Sequence, residues 1–400
     1  MKNLSLLLGN HALLRQESFG GTLFFIRTGK RTYVNHEEFA SIKASGKIPT
    51  ALADEMGSAS DSVIVVEPAQ LPEKNFSAPD TVFLEVTRTC NLMCKHCFNQ
   101  SGKALPGELA QGQFEAIVDD LAESGVQEIR FTGGEPMMLP GIVSLIRRTS
   151  SLGLRCSMGT NAMLINDRRA DELKAAGLHA GIVSLDGLEE KHDLIRGHSS
   201  FRLTLKGLER FRARSIGVRV NIVVMRSNLM DIPPLVASLA KQGIPVFMRR
   251  LILSGRACTV TNEMLSAAEY ADLRTALKSL LDDPHGLVDG HYLKERQITT
   301  RIPLPFTRKE CSAGQRGLII LPDGRIQTCG FLGPLGETSI GRLPAETLVD
   351  VWKRLNSSTH IPMLECNLDP YNDSTTGPKT NCLAVALSSQ KHSNESIAIP

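Results

Sequence analysis

EVTRTCNLMCKHCF, residues 85 to 98, places three cysteines, Cys90, Cys94 and Cys97, within eight residues. A gap of three residues and then of two puts three thiols on one short loop, where their thiolates can hold three corners of an iron-sulfur cube. Three ligands leave the fourth metal position open to an exchangeable ligand, and an open position implies chemistry. The same residues also admit half a zinc site, completed by a fourth ligand such as His96, or reduced thiols without a metal. A structural zinc knot is usually built from paired Cys-x2-Cys knuckles, which this spacing does not match. His96, inside the shorter gap, is expected to be solvated.

Outward from this loop, the chain from Asp80 to about Leu253 alternates apolar strand-like runs with amphipathic helical runs, the pattern of a β/α architecture on a parallel sheet. Predicted strands cover 81 to 86, 127 to 132, 154 to 159, 180 to 185, 218 to 224 and 245 to 251. In barrels of this type the functional residues gather at the C-terminal ends of the strands. The second strand runs into Gly133-Gly134-Glu135-Pro136, whose glycines let backbone approach a ligand and whose carboxylate can accept from an ammonium. Thr160-Asn161 follows the third strand, Ser184 and Asp186 the fourth with Arg196 shortly after, and Asn221 lies in the fifth.

Together these motifs resemble the radical SAM superfamily, whose Cys-x3-Cys-x2-Cys loop, with an aromatic such as Phe98 after the last cysteine, holds a 4Fe-4S cluster. The resemblance implies a partial (β/α)6 TIM barrel and S-adenosylmethionine (SAM) bound on the open iron. It further implies SAM contacts from Gly133, Gly134, Glu135, Thr160 and Asn161, with Ala162 standing where that family has glycine. Ser184 would bond the ribose, Arg196 would pair with the SAM carboxylate, Asn221 would face the nucleoside, and Asp186 would be a further cofactor-binding residue. The reduced cluster would cleave SAM to a 5'-deoxyadenosyl radical that abstracts hydrogen from an unactivated carbon, with a flavodoxin or ferredoxin as electron donor. Leu253-Ser254-Gly255-Arg256 after the sixth strand resembles the peptide-modifying branch at the edge of its substrate cavity.

Residues 1 to 70 read as a small α+β unit: a hairpin around Thr28-Gly29-Lys30, a helix over HEEFASIKAS, a second near 50 to 55, and a strand in DSVIVVEP. The arrangement resembles domains that bind the leader of a ribosomally made precursor peptide, here by strand addition to the hairpin edge; the alternative is a cap on the barrel. A Pro-containing linker spans 71 to 79, and the barrel spans 80 to 283. Residues 284 to 385 form a cysteine-rich unit, and 386 to 400 a polar, disordered tail.

Nine cysteines are too many for accident, and in a reducing compartment a disulfide framework is not expected. Cys311 and Cys329 flank a strand, a Pro322-Asp323-Gly324 turn and a second strand. That pattern resembles the SPASM and Twitch extensions, implying one auxiliary 4Fe-4S cluster on Cys311, Cys329, Cys366 and Cys382; zinc is the alternative for the same thiolates. Cys156 is expected in the core. Cys258, just past the sixth strand, is the candidate hydrogen donor if the reaction is an epimerisation, and otherwise a loop thiol.

A formal charge of +3 over 400 residues provides no field for nucleic acid or an anionic membrane. The first apolar run is interrupted by Asn10 and His11, and no segment is long enough to span a bilayer. A cytoplasmic enzyme is expected. Its substrate would be a precursor peptide undergoing cross-linking, epimerisation or excision; a protein side chain or a small cofactor-pathway metabolite is the alternative.

Overall fold

The computed structural model describes residues 11–57, 60–282, 287–290, 301–306, 312–330 and 339–357. Six elements open the chain: β1 (His11–Glu17), β2 (Gly20–Phe25), β3 (Arg31–Val34), α1 (His36–Ser45), α2 (Thr50–Glu55) and β4 (Ser62–Val66). Their strands form one sheet in the order β3-β2-β1-β4, antiparallel except for the parallel pair of β1 and β4. Helix α1 starts where its sequence says it should. The Asn35 side chain accepts from the Glu38 N–H at 2.9 Å while the Glu38 carboxylate accepts from the Asn35 N–H at 3.0 Å, a reciprocal cap, and Gly46 ends the helix in the left-handed region.

Strand β1 was not anticipated. Its two faces are both covered: Ala12 and Leu14 pack with Phe39, Ile42 and Leu52 of the two helices, whereas Leu13 joins the core of the large sheet. Burial on both sides removes the polar alternation that marks a half-exposed strand. Arg15, 0% exposed, fastens β1 to the rest of the molecule. Its guanidinium donates to Glu17 at 2.7 Å, Asp80 at 2.9 Å and the carbonyls of Gly125 and Pro79 at 3.0 and 3.2 Å. Nearby, Phe76 is buried among Phe19, Tyr33 and Phe306, with its ring stacked on Tyr33 at 5.7 Å between centroids.

The large sheet follows from repeated β/α units: β5 (Thr81–Glu85), α3 (Gln111–Glu123), β6 (Glu128–Thr132), α4 (Ile142–Ser151), β7 (Arg155–Thr160), α5 (Asp167–Ala175), β8 (Ala180–Ser184), α6 (Glu189–Arg196), α7 (Ser200–Ala213), β9 (Gly217–Val224), α8 (Ile232–Lys241) and β10 (Val246–Arg250). Each predicted barrel strand lies within a residue or so of an observed one. After them come α9 (Ala267–Ala276), α10 (Lys278–Leu281), β11 (Val288–Gly290), β12 (Gly317–Ile320), β13 (Arg325–Gln327), β14 (Gly341–Arg342) and α11 (Leu348–Ser357). Among the described residues the strand order is β11-β10-β9-β8-β7-β6-β5-β12-β13-β14, parallel from β11 through β12.

The sheet is open, with six central strands as expected. The hairpin of β12 and β13, turning at Asp323-Gly324, was read from the sequence, but its place was not. β12 lies parallel to β5, pairing Gly317 to Ile320 with Thr81 to Leu84, and so covers an edge that would otherwise expose unpaired backbone groups. One face of the sheet carries Val82, Leu84, Ile129, Phe131, Cys156, Met158, Val183, Val220, Ile222, Val246 and Met248 into the helix-packed core. Strand periodicity places Phe83, Arg130, Ser157, Ile182, Arg219, Asn221, Phe247 and Arg249 on the opposite, concave face.

Candidate functional site

β5 ends at Glu85, and the cysteine loop leaves from there. The buried Glu85 carboxylate accepts from Asn99 Nδ2 at 2.7 Å and pairs with Arg88 at 2.8 Å, while Arg88 also donates to the Asn99 carbonyl at 2.8 Å. Glu108 closes the base of the loop by accepting from the N–H groups of Arg88 and Leu105 and from the Thr87 hydroxyl. The glycine pair after β6 lies against this loop. Gly133 sits at φ 137°, and a Cβ there would collide with the Thr87 carbonyl; one on Gly134 would collide with the Thr89 carbonyl. Gly134 and Glu135 N–H groups bond those same carbonyls at 2.7 and 2.9 Å. These glycines therefore seat the second loop on the first.

A second buttress comes from the chain after β10. Gly255, at φ 58°, leaves no room for a side chain against the carbonyls of Cys97 and Phe98. Arg256 donates its backbone N–H to the Cys97 carbonyl at 3.0 Å, Nε to the Cys94 carbonyl at 2.9 Å and Nη1 to the Ser101 carbonyl at 2.6 Å. The sequence singled out this tetrapeptide without its partner, because residues more than 150 positions apart carry no local sign of contact.

Each sulfur of the loop receives an N–H group: Cys90 from Leu92 at 3.4 Å, Cys97 from Ser101 at 3.4 Å, and Cys94 from Arg196 Nη1 at 3.9 Å. Such donors favour thiolate over thiol. Burial pushes the Cys90 thiol up to about 11 and also raises Cys94, so a bound metal's positive charge is what would keep these sulfurs ionised. Among the described residues no three His, Cys, Asp or Glu side chains converge tightly enough to chelate one metal ion. By its chemistry the donor set, three soft thiolates on one short loop, fits an iron-sulfur cluster.

His96 is not solvated. It is 7% exposed, and its Nε2 lies 3.2 Å from Asp186 Oδ2. The same carboxylate oxygen receives Arg196 Nε at 2.6 Å, and Asp186 Oδ1 accepts from the Val223 N–H at 2.8 Å. Burial alone would raise the Asp186 carboxyl, but Arg196 and His96 hold it well below the usual carboxylate range. The charge of Arg196 is thus fixed beside Cys94. His192 accepts from the Asp186 N–H at 3.1 Å through Nδ1, and Asn228 donates to the Asp186 carbonyl at 2.7 Å. Asp186 is the hub of this end of the barrel.

The buried Glu135 carboxylate is already engaged, accepting from the Thr160 hydroxyl and the Asn161 N–H, both at 2.8 Å, and from the Met137 N–H at 3.2 Å. It ties the loops after β6 and β7 together. Asn161 in turn donates to Asn91 in the cysteine loop at 2.8 Å. Ala162 takes the left-handed conformation, φ 59°, that glycine would occupy at less cost. Ser184 and Asn221 are paired in register on β8 and β9, and the buried Asn221 Oδ1 has no hydrogen-bond partner. The buried hydroxyls of Ser254 and Ser101 are likewise unpartnered. These orphaned polar atoms beside the cysteine loop are what a polar ligand such as SAM would satisfy.

Cys258 is half-buried in the turn Gly255–Thr259, close to Arg256, and Cys156 is buried in the core face of β7. Cys329 is half-buried two residues past β13. Cys311, Cys366 and Cys382 lie outside the described residues, as does the tail from 386 to 400.

A family model described as the radical SAM superfamily matches residues 84–239. Over 290 residues the chain is 30% identical to the AdoMet-dependent heme synthase of Oleidesulfovibrio alaskensis, covering 68% of this chain and 73% of that protein. It is 32% identical over 194 residues to the mycofactocin maturase MftC of Mycobacterium ulcerans, covering 48% and 53% respectively. The crystal structure of Streptococcus suis SuiB bound to precursor peptide SuiA shares the fold, with TM-score 0.63 at 18% identity over 86% of this chain and 87% of that one. The family model takes in the cysteine loop and strands β6 to β9, the heme synthase alignment extends the likeness over two thirds of both chains, and the chain belongs to the radical SAM superfamily.

Proposed function

We propose that this radical SAM enzyme modifies a precursor peptide, with a 4Fe-4S cluster on Cys90, Cys94 and Cys97 and SAM against Gly133, Gly134, Glu135, Thr160, Asn161, Ser184, Asp186, Arg196 and Asn221. Cluster and SAM, when bound, supply reductive cleavage of a carbon–sulfur bond and a 5'-deoxyadenosyl radical that removes a hydrogen atom from substrate. The chain's own residues hold and orient. Glu135 and Asp186 act mainly by position, one locking two loops and the other aiming Arg196, whose remaining N–H groups suit a carboxylate. Arg256 and the glycine pair fix the cysteine loop, and the concave face beneath provides the substrate cavity.

The hairpin edge expected from the sequence, β3, is buried at Thr32, Tyr33 and Val34, so the observation that carries the peptide reading is the outer side of the half-exposed β4, which ends the same sheet and has no strand partner among the described residues. An extended peptide can add there by backbone hydrogen bonds. The similarity to a mycofactocin maturase supports the same reading. On this view residues 1–70 receive the peptide, 71–79 link, 80–283 form the catalytic barrel, and 284–385 carry an auxiliary cluster on Cys311, Cys329, Cys366 and Cys382. A flavodoxin or ferredoxin supplies electrons. No described helix is long and apolar enough to cross a membrane, and we place the enzyme in the cytoplasm.

The longer alignment with a heme synthase favours a second reading, a small cofactor-pathway metabolite as substrate. Co-expression with the short peptide encoded beside the gene separates the two. Mass spectrometry would show loss of two hydrogens for a cross-link, unchanged mass with deuterium uptake for epimerisation through a donor such as Cys258, or a shortened peptide for excision. An untouched peptide in the presence of active enzyme refutes the peptide reading. Cys94→Ala should abolish 5'-deoxyadenosine formation, while Cys329→Ala should spare it.

A further inference from the structure

The three sulfurs of the cysteine loop do not have the same surroundings. Cys90 and Cys97 each take a backbone N–H, from Leu92 and Ser101. Cys94 instead faces a side-chain cation: Arg196 Nη1 lies 3.9 Å from its sulfur, with the Arg196 carbonyl at 4.0 Å. Arg196 is the last residue of α6, and the Lys95 N–H donates to the Ile195 carbonyl at 3.1 Å. The loop and that helix end are therefore bonded to each other on either side of the contact.

The guanidinium is held where it is. Its Nε donates to Asp186 at 2.6 Å, and its Nη2 lies 3.5 Å from Nε2 of His96, inside the cysteine loop itself. Asp186 is fixed in turn by the Val223 N–H on its carboxylate and the Asn228 amide on its carbonyl. The Arg196 side chain is 10% exposed and that of Asp186 is fully buried, so solvent screens the pair weakly. Asp186 carries the opposite charge and cancels part of the cation, but it bonds the Nε edge while Nη1 faces the sulfur. Burial raises the Cys94 thiol, and among the charges around it Arg196 has the largest influence, ahead of Asp186, and in the opposite direction. The cation is the dominant charge at this sulfur.

A fixed positive charge against a ligating sulfur favours the more electron-rich state of an iron-sulfur cluster, whose reduction potential follows net charge and the hydrogen bonds to its sulfurs. We infer that Arg196, with Asp186 as its positioning residue, raises the reduction potential of the cluster on Cys90, Cys94 and Cys97 and so eases its one-electron reduction by the outside protein donor. The inference rests on the proposed cluster for its setting. It gives Arg196 a duty to the metal site that precedes any contact with the SAM carboxylate.

The test is a redox titration of the anaerobically reconstituted full-length enzyme without SAM, read by electron paramagnetic resonance of the reduced cluster. The signal that Cys94→Ala protein lacks belongs to the loop. Arg196→Gln should lower the midpoint of that signal by about 59 mV or more, which is a tenfold loss in the reduction equilibrium for one electron. Arg196→Lys keeps a charge but loses the fork that reaches Asp186 and the sulfur together, and should fall between the two. Arg202→Gln, on the exposed side of α7 where it pairs with Glu189, should match the wild type. If R196Q takes up no cluster, R196K is read alone against the wild type, with a lower midpoint expected and an equal one overturning the inference.

An R196Q protein whose loop cluster has the wild-type midpoint would overturn the inference. With less iron at that same midpoint, Arg196 merely props the loop; with weaker SAM binding at that midpoint, it serves SAM alone. A wild type that shows no signal beyond those of Cys94→Ala refutes the cluster reading itself, and the inference falls with it. The two failures are told apart by whether the loop signal exists.

Discussion

Removing the Arg256 side chain should loosen the cysteine loop without touching a cysteine. In the structure its guanidinium spans the loop, with Nε on the Cys94 carbonyl at 2.9 Å and Nη1 on the Ser101 carbonyl at 2.6 Å. A hydrogen bond from a charged donor contributes about 1.5–3 kcal/mol. Arg256 is half-buried, so water can replace part of what is lost, and about 2–4 kcal/mol is expected for the pair in Arg256→Ala. At about 1.4 kcal/mol per tenfold change, the equilibrium between closed and open loop should shift by roughly 30- to 700-fold. The backbone bond from Arg256 N–H to the Cys97 carbonyl survives the substitution, which keeps the effect local. Two assays read it: hydrogen exchange of amides 90 to 102 in apoprotein, and iron per chain after anaerobic reconstitution. Exchange should accelerate within that range and iron should fall, while the global urea midpoint barely moves. Wild-type exchange and wild-type iron content in the variant would refute the buttress.

Two further outcomes concern the frame. Arg15→Ala leaves the buried Glu17 without its cation and Asp80 with only Arg31 at 3.4 Å, which should cost about 3–5 kcal/mol by urea unfolding and expose the segment before β5 to protease; a loss under about 1 kcal/mol would show that Arg15 is not the fastening. Stability should also fall as pH drops below about 6.5. Burial first, then Arg196, lowers His192 to about 4, and burial with Arg155 lowers His179 to about 3, from an ordinary 6.5. The unfolded chain therefore takes up these protons before the folded one. The contribution is complete above 6.5 and is lost toward 4, at up to about 1.4 kcal/mol per pH unit for each histidine. Urea midpoints between about pH 7.5 and 4.5 check this, and His192→Gln should remove about half of the slope; a flat wild-type profile contradicts it.

Much of the site was legible because its signals are local. The cysteine spacing, the glycine pair and the strand-end positions of Thr160, Asn161, Ser184 and Asp186 all lie within short windows of known periodicity. What failed to show was whatever depends on a distant partner. His96, inside the shorter cysteine gap, looked solvated, yet it is buried against Asp186 and Arg196, some ninety to a hundred positions away in the chain. Glu135 looked free to meet a ligand, but the loop after β7 supplies three-point contact together with its own turn. β1 was passed over because a strand covered on both faces, with a buried arginine within it, has no alternating pattern.

The amino-acid sequence by itself determined the superfamily, the six central β/α units and the three-thiol loop, since each is written in spacing that the backbone converts directly into helix, strand or turn. Tertiary structure alone decided which residues hold that loop in shape, which charges are buried in pairs, where the C-terminal hairpin docks, and that Arg130, Arg219 and Arg249 meet on one concave face. Those relations are set by how strands from distant parts of the chain pack side by side, and no local pattern of residues encodes them.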